Sequence, residues 1–348
     1  MRKFIYLAIL SILLCKPNLN NLKNDINNQD NPILNPNQFL NNIKEPSNRT
    51  NIILTLIVKY PWKTILPFIK SLINSNFGNY DIVIFISEIS QSVINNLKSF
   101  GVILYEIPYK IKSINQIYNY RWKLYSEFLE KNREKYKLVL SVDIKDTIIQ
   151  KEFFNLYENQ KNFLGFSYED ADLNKLINKE WIVKTFGMNI FKTINHKRTI
   201  NAGTIWGTLN QFLEFSNILF KWLYKYPEAV DQSIVNYLIY HEKILNNCLI
   251  IGSDEYGPVI TIGLNQRKNI NLDSNNNILN YGGKIPSIVH QYDRHPDLRK
   301  MIKIKFCPEL IEKKIIIKFL IISQVFSIAL LLKNVLYLYK SKKWKNNN

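Results

Sequence analysis

The sequence predicts an α/β protein with a doubly wound, mostly parallel central sheet and helices on both faces. Three features carry that prediction. From residue 51 onward, short β-branched apolar runs alternate with segments of helical spacing. The apolar runs are continuous, as in strands buried on both faces, and do not alternate in the manner of a half-exposed sheet. The fourth run ends directly in carboxylates, at the edge of such a sheet where ligands bind.

Residues 52–58 (IILTLIV) form the first predicted strand. Trp62, Ile65, Leu66, Ile69 and Leu72 fall on one face of a helix over residues 62–74. Residues 80–87 (YDIVIFIS) read as a second strand, and residues 90–100 as a helix ended by Gly101, the usual left-handed cap residue. A short strand over 102–107 and an amphipathic helix over 115–132, bearing Tyr118, Trp122, Tyr125 and Leu129, lead to residues 137–142 (KLVLSV). That strand runs into Asp143. Further on, Asp231 stands at the start of a predicted helix over 232–241.

The chain has 348 residues, 46% hydrophobic and 21% charged, enough for a sizeable core. Its 46 Lys and Arg exceed its 28 Asp and Glu, giving a formal charge of +18. The excess is mostly Lys on a background rich in Asn and Ile. No Arg-rich run or basic-aromatic alternation marks a nucleic-acid groove, so no nucleic-acid partner is expected. Of the three cysteines, Cys15 falls in the leader, and Cys248 and Cys307 form either one disulfide or two buried thiols. With no CxxC pair, a cysteine zinc site is not expected.

Met1-Arg2-Lys3 and the apolar run after it predict a signal peptide or anchor over 1–16. An Asn-rich stem is expected over 17–50, closing on the N-glycosylation sequon Asn48-Arg49-Thr50. Residues 315–339 read as a transmembrane helix and 340–348 as a basic tail, which the positive-inside rule keeps cytosolic. Together these ends predict an ER or Golgi membrane protein with a lumenal middle.

Asp143 and Asp146 close the fourth strand with Ile144 and Lys145 between them. Carboxylates at the tip of a buried strand must be solvated, paired or bound to a cation. Hard oxygen ligands suit Mg²⁺ or Mn²⁺, which in turn bridge nucleotide phosphates. The competing readings are an Asp143 that caps the next turn and an Asp146 paired with Lys145 or Lys151.

The run LSVDIKDTIIQ resembles the aspartate segment of GT-A nucleotide-sugar glycosyltransferases, in which a strand ends in a DxD-type motif. Asn201-Ala202-Gly203 with Gly207 is similar to that family's NAG…G stretch, Asp231-Gln232 with Asn236 to its DQ…N element, and residues 287–295 (SIVHQYDRH) to its late histidine element. The resemblance spans about residues 51–298 and implies a GT-A-like domain over 51–310. It implies transfer of a sugar from a nucleotide-diphosphate donor, expected to be a uridine diphosphate sugar, to a glycan, glycoprotein or lipid acceptor. By the resemblance, Asp143, Asp146 and His290 hold the metal. Thr55, Tyr60, Arg121, Asp143, Asn201, Ala202, Gly203 and Arg294 face the donor. Asp231 and Gln232 are the catalytic pair, with Asp231 the base if transfer inverts.

One departure separates the chain from that pattern: two residues, not one, lie between the aspartates. On a regular strand they would face opposite ways, so both reach one metal only if the chain turns after Asp143. The spacing keeps open a non-catalytic protein on a decayed transferase fold. Asp143…Asp146-Thr147 also has a superficial likeness to the nucleophile motif of haloacid-dehalogenase phosphohydrolases.

Overall fold

A computed structural model describes residues 49–75, 79–107, 114–244 and 248–309. The expected signal, most of the stem and the C-terminal segments 315–339 and 340–348 lie outside these residues. Among the described residues no helix is long and apolar enough to cross a membrane.

The chain opens with β1 (Asn51–Val58), α1 (Trp62–Asn74), β2 (Tyr80–Ser87), α2 (Gln91–Ser99), β3 (Ile103–Glu106), α3 (Ile114–Lys131) and β4 (Leu138–Val142). These are the expected elements, within a residue or two at each end. Gly101 has φ +73°, and its N–H bonds the Lys98 carbonyl, closing α2 in the left-handed conformation. After β4 come β5 (Thr147–Ile149), β6 (Phe163–Asp172), α4 (Leu176–Ile194), β7 (Arg198–Thr208) and α5 (Leu209–Lys225). The chain continues through α6 (Asp231–Tyr237), β8 (Leu249–Ser253), β9 (Val259–Thr261), β10 (Ile288–His290) and α7 (Pro296–Phe306). A single π-helical turn, Leu238–Glu242, extends α6.

The main sheet has seven strands in the order β3-β2-β1-β4-β7-β6-β8. It is parallel throughout except at β7, which runs antiparallel to both β4 and β6. β4, β6 and β8 therefore point the same way as β1, and their carboxyl ends share one edge. Both faces are covered. Along β1, Ile52 and Leu54 join one apolar cluster with Trp122, Phe212 and Phe215 of α3 and α5. Ile53 and Ile57 join the opposite cluster with Ile65, Phe68 and Leu97 of α1 and α2. Burial on both sides is why the strands read as unbroken apolar runs.

A second sheet, β5-β10-β9, sits beyond the end of β4. Its own cluster joins Ile148, Ile260 and Val289 to Leu298 and Ile302 of α7. No disulfide forms between Cys248 and Cys307: both are free, Cys248 half-buried and Cys307 fully buried. Burial pushes their thiols up to about 11 and about 12.

Candidate active site at the mouth of the sheet

The site is made where the chain leaves one sheet for the other. β4 ends at Val142, and residues 144–146 turn before β5 begins at Thr147. That turn removes the face conflict of a regular strand. Its far end is fixed by the second sheet, where His290 lies opposite Thr147 in the antiparallel β5–β10 pair. The Gln291 N–H also donates to the Asp146 carbonyl at 2.8 Å, with Gln291 at φ +60°. His290 is thereby set beside Asp146 by backbone pairing.

Asp143, Asp146 and His290 each offer one ligand atom, and these atoms all lie within 4.8 Å of one another. His290 Nε2 is 3.3 Å from Asp146 Oδ1 and 3.8 Å from Asp143 Oδ2. Although fully buried, it makes no hydrogen bond of good geometry with either. Its Nδ1 lies 3.5 Å from the Thr261 hydroxyl, which bonds Ser167 at 2.8 Å.

Burial works against charge on His290, but Asp146 and Asp143 outweigh it and raise the imidazole above its ordinary value. Burial also opposes charge on Asp146, yet His290, Arg294 and Lys145 hold that carboxyl below the usual range. For Asp143 burial prevails: its carboxyl is pushed up against the pull of Arg121 and His290.

The opposite wall comes from β7. Phe166 pairs with Ile205 while the next residue, Ser167, pairs with Asn201, so Ala202, Gly203 and Thr204 bulge out of the β6 ladder. The bulge carries Gly203 to Asp143, whose N–H donates to the Gly203 carbonyl at 2.8 Å. A Cβ on Gly203 would collide with the His290 ring and lie 2.6 Å from Asp143 Oδ2. Only glycine leaves this space open. A carboxylate-imidazole triad, a ring nitrogen with no hydrogen bond and a cradle that a methyl would fill all suit a hard divalent cation.

Arg121 lies beneath the triad, almost fully buried. It donates to Asp143 Oδ1 at 2.6 Å and to the Ala202 carbonyl at 3.2 Å, and it pairs closely with Asp231. Asp231 Oδ2 also takes the Trp122 indole N–H at 3.2 Å, and its Oδ1 takes the Gln232 backbone N–H at 2.9 Å. Both Asp231 oxygens are thus engaged, which fits a role in holding Arg121 better than the expected one of a base.

Gln232 is similarly occupied. Its amide nitrogen donates to Glu169 and Asn178, and its oxygen faces Asn201 Nδ2 and the Ala202 N–H. With every hydrogen-bonding position used, it holds the β7 bulge in place and offers nothing free for catalysis. Asn236 fastens the same region by bonding both the N–H and the carbonyl of Ile200.

The remaining expected donor contacts divide. Arg294 is half-exposed, 3.8 Å from Asp146 Oδ2, and open to solvent anions. Asn201 is buried, donating to Glu169 at 2.8 Å and accepting from the Gly203 N–H at 2.7 Å. Thr55 faces no ligand space: it is fully buried, and its hydroxyl donates to the Val142 carbonyl, bracing the end of β4. Tyr60 is half-buried against the α1–α2 side of the core. His295 Nε2 donates to the Ile262 carbonyl at 2.8 Å, and the ring stands apart from the triad.

The sequence reading left Asn178 and Trp122 without roles in the site. It offered Glu169 with Asp170 either as a carboxylate pair meeting an acceptor or as a solvated loop, whereas Glu169 is buried and accepts from Asn201 and Gln232. Glu169 and Asn178 sit in polar surroundings that read as loop, and Trp122 follows the core periodicity of α3. Only their burial at the bulge reveals them.

Fold and triad together define a class: an α/β protein whose mostly parallel sheet presents a divalent-cation-type site at its carboxyl edge. No family model and no curated protein matches the chain. Solved structures similar to it include the galactosyltransferase LgtC in complex with donor and acceptor sugar analogues, at 16% identity and a TM-score of 0.43. An active-site mutant of LgtC is also similar, at 16% identity and a TM-score of 0.44. Each match covers 69% of this chain and 86% of the other.

Proposed function

We propose that the chain is a metal-dependent glycosyltransferase that moves a sugar from a nucleotide-diphosphate donor, a uridine diphosphate sugar, to a glycan, glycoprotein or lipid acceptor. The observation that carries this reading is the triad of Asp143, Asp146 and His290 at the mouth of a parallel sheet, with ligand atoms within 4.8 Å of one another. In this reading those residues hold Mn²⁺ or Mg²⁺. A bound cation there stabilises the charge that grows on the departing diphosphate.

The chain's own residues supply the rest. Arg121 fixes Asp143 in position and fills the space beneath it with a permanent positive charge. The side chain of Asp143 remains one-third exposed, so its outer oxygen is open to a ligand. Arg294 stands over Asp146, free to grip phosphate oxygens. Gly203 lets a donor and a cation approach the strand ends closely. The aspartate spacing that kept open a decayed, non-catalytic protein is accommodated by the turn at 144–146. The grip of Arg121 on Asp143 gives no support to a phosphohydrolase nucleophile there. Placement in the ER or Golgi membrane, with a C-terminal anchor and a lumenal domain, is part of the same proposal and rests on the terminal sequences alone.

The test is hydrolysis of a panel of uridine diphosphate sugars with and without Mn²⁺. The parent should release uridine diphosphate only with the metal. Asp146→Ala should lose that activity by about a hundredfold or more while keeping its cooperative unfolding. Metal-independent activity, or an Asp146→Ala variant as active as the parent, would sink the proposal.

A further inference from the structure

We infer that Thr261, backed by Ser167, is a positioning residue: it accepts the Nδ1 proton of His290 and so aims the Nε2 lone pair at the space between Asp143 and Asp146. The inference rests on the metal reading of the site proposed above. A neutral imidazole carries one proton, and the partner of one ring nitrogen decides whether the other is free to ligate. Nε2 faces the two carboxylates without a hydrogen bond, while Nδ1 has the Thr261 hydroxyl at 3.5 Å. That contact is long, as such contacts are before a site is filled. The Thr261 hydroxyl has a single proton. Given to Ser167 at 2.8 Å, it leaves only lone pairs toward Nδ1, so Nδ1 must be the donor. Without Ser167 the same proton could turn to Nδ1, which would put the ring in the other tautomer and block Nε2.

The hydroxyl pair also spans the seam between the two sheets. Ser167 belongs to β6 of the main sheet, and Thr261 to β9 of the second, in register with His290 of β10. Asp143 follows a strand of the main sheet and His290 stands on the second, so the width of the site is set where the sheets are joined. All three members of the relay, His290, Thr261 and Ser167, are buried. A second tie lies beside it. Ser253, in register with Ser167 across the β6–β8 pair, accepts the Val259 N–H at 3.0 Å and donates to its carbonyl at 2.6 Å, which joins β8 to β9. Both ties are buried on the same seam, but only the Ser167–Thr261 pair reaches the imidazole. That difference separates positioning from general support.

Mn²⁺ affinity of the full chain, with the melting temperature in chelator as the measure of folding, tests this. Thr261→Val should weaken Mn²⁺ binding by about ten- to a hundredfold, and Ser167→Ala by roughly tenfold. Thr261→Ser keeps the hydroxyl and should restore most of the affinity. Ser253→Ala should lower the melting temperature yet leave Mn²⁺ affinity unchanged, because it loosens the seam without touching His290. The inference is overturned if Thr261→Val binds Mn²⁺ like the parent, or if Ser253→Ala weakens binding as much as Thr261→Val does. A second readout needs no metal. In chelated protein labelled with ¹⁵N-histidine, at about pH 5 where the imidazole is charged, the His290 Nδ1 proton should resonate downfield in the parent and in Thr261→Ser. It should move upfield in Thr261→Val. If the parent binds no Mn²⁺, the metal reading fails and this signal alone decides the orientation: an Nδ1 proton unmoved by Thr261→Val overturns it.

Discussion

At the residue scale the site depends on what Gly203 lacks and on what His290 carries. Gly203→Ala places a methyl against the His290 ring and Asp143 Oδ2. Metal affinity should fall by about ten- to a hundredfold, as for other changes that disturb ligand orientation, and isothermal titration with Mn²⁺ measures it. The pH dependence follows from the two shifts. His290 is raised above its ordinary value, so the stability it lends the metal-free protein is full below about pH 6.5 and is lost as pH rises through its folded value. Asp146 is lowered, so its contribution is present above about pH 4 and is lost as pH falls. In a chelator, the melting temperature should therefore decline above about pH 6.5, less so in His290→Gln. A cation must displace the imidazolium proton, so Mn²⁺ affinity should rise over the same pH range. A chelated protein whose melting temperature climbs through that range would contradict the pairing. The grouping of Asp143, Asp146 and His290 was legible in the sequence only through the resemblance of its aspartate segment and late histidine element to the GT-A family. The two-residue spacing of the aspartates left their common reach open, and only the turn after Asp143 resolves it. The roles of Asp231 and Gln232 were not legible, since nothing in a linear pattern shows that a carboxylate or an amide has all its hydrogen bonds used.

At the element scale the decisive feature is the bulge in β7. It exists because Asn236 of α6 bonds both backbone groups of Ile200, while Gln232 faces the amide of Ala202. Asn236→Ala leaves a buried N–H and carbonyl without partners and should cost about 2–3 kcal/mol, measured by urea denaturation. It should weaken Mn²⁺ binding as well, since the bulge carries Gly203. A variant as stable as the parent would show that the bulge holds itself. The first four strands and the helices between them were readable because each is an apolar run or a clean helical stripe. β5, β9 and β10 are three residues each, too short for any period to show, and they are made by pairing with one another. The turn after Asp143 exists only because that second sheet draws the chain away from β4.

At the scale of the whole molecule, the main sheet presents the carboxyl ends of β1, β4, β6 and β8 at one edge, and the second sheet supplies the histidine across from them. Three buried carboxylates, Asp146, Asp231 and Glu169, and the one-third-exposed Asp143 gather there around Arg121 and His290. Acidic charge exceeds basic charge inside the site of a chain whose overall charge is +18. Burying such an excess is unfavourable unless a cation offsets it, so a divalent ion is the part that the arrangement calls for. The most direct test is to count bound Mn²⁺ by the electron paramagnetic resonance of the free ion, in the presence of uridine diphosphate. The parent should bind one ion per chain, and Asp146→Asn and His290→Gln should each bind none at the same concentrations while staying folded. Full occupancy in either variant would contradict a cation held by Asp143, Asp146 and His290.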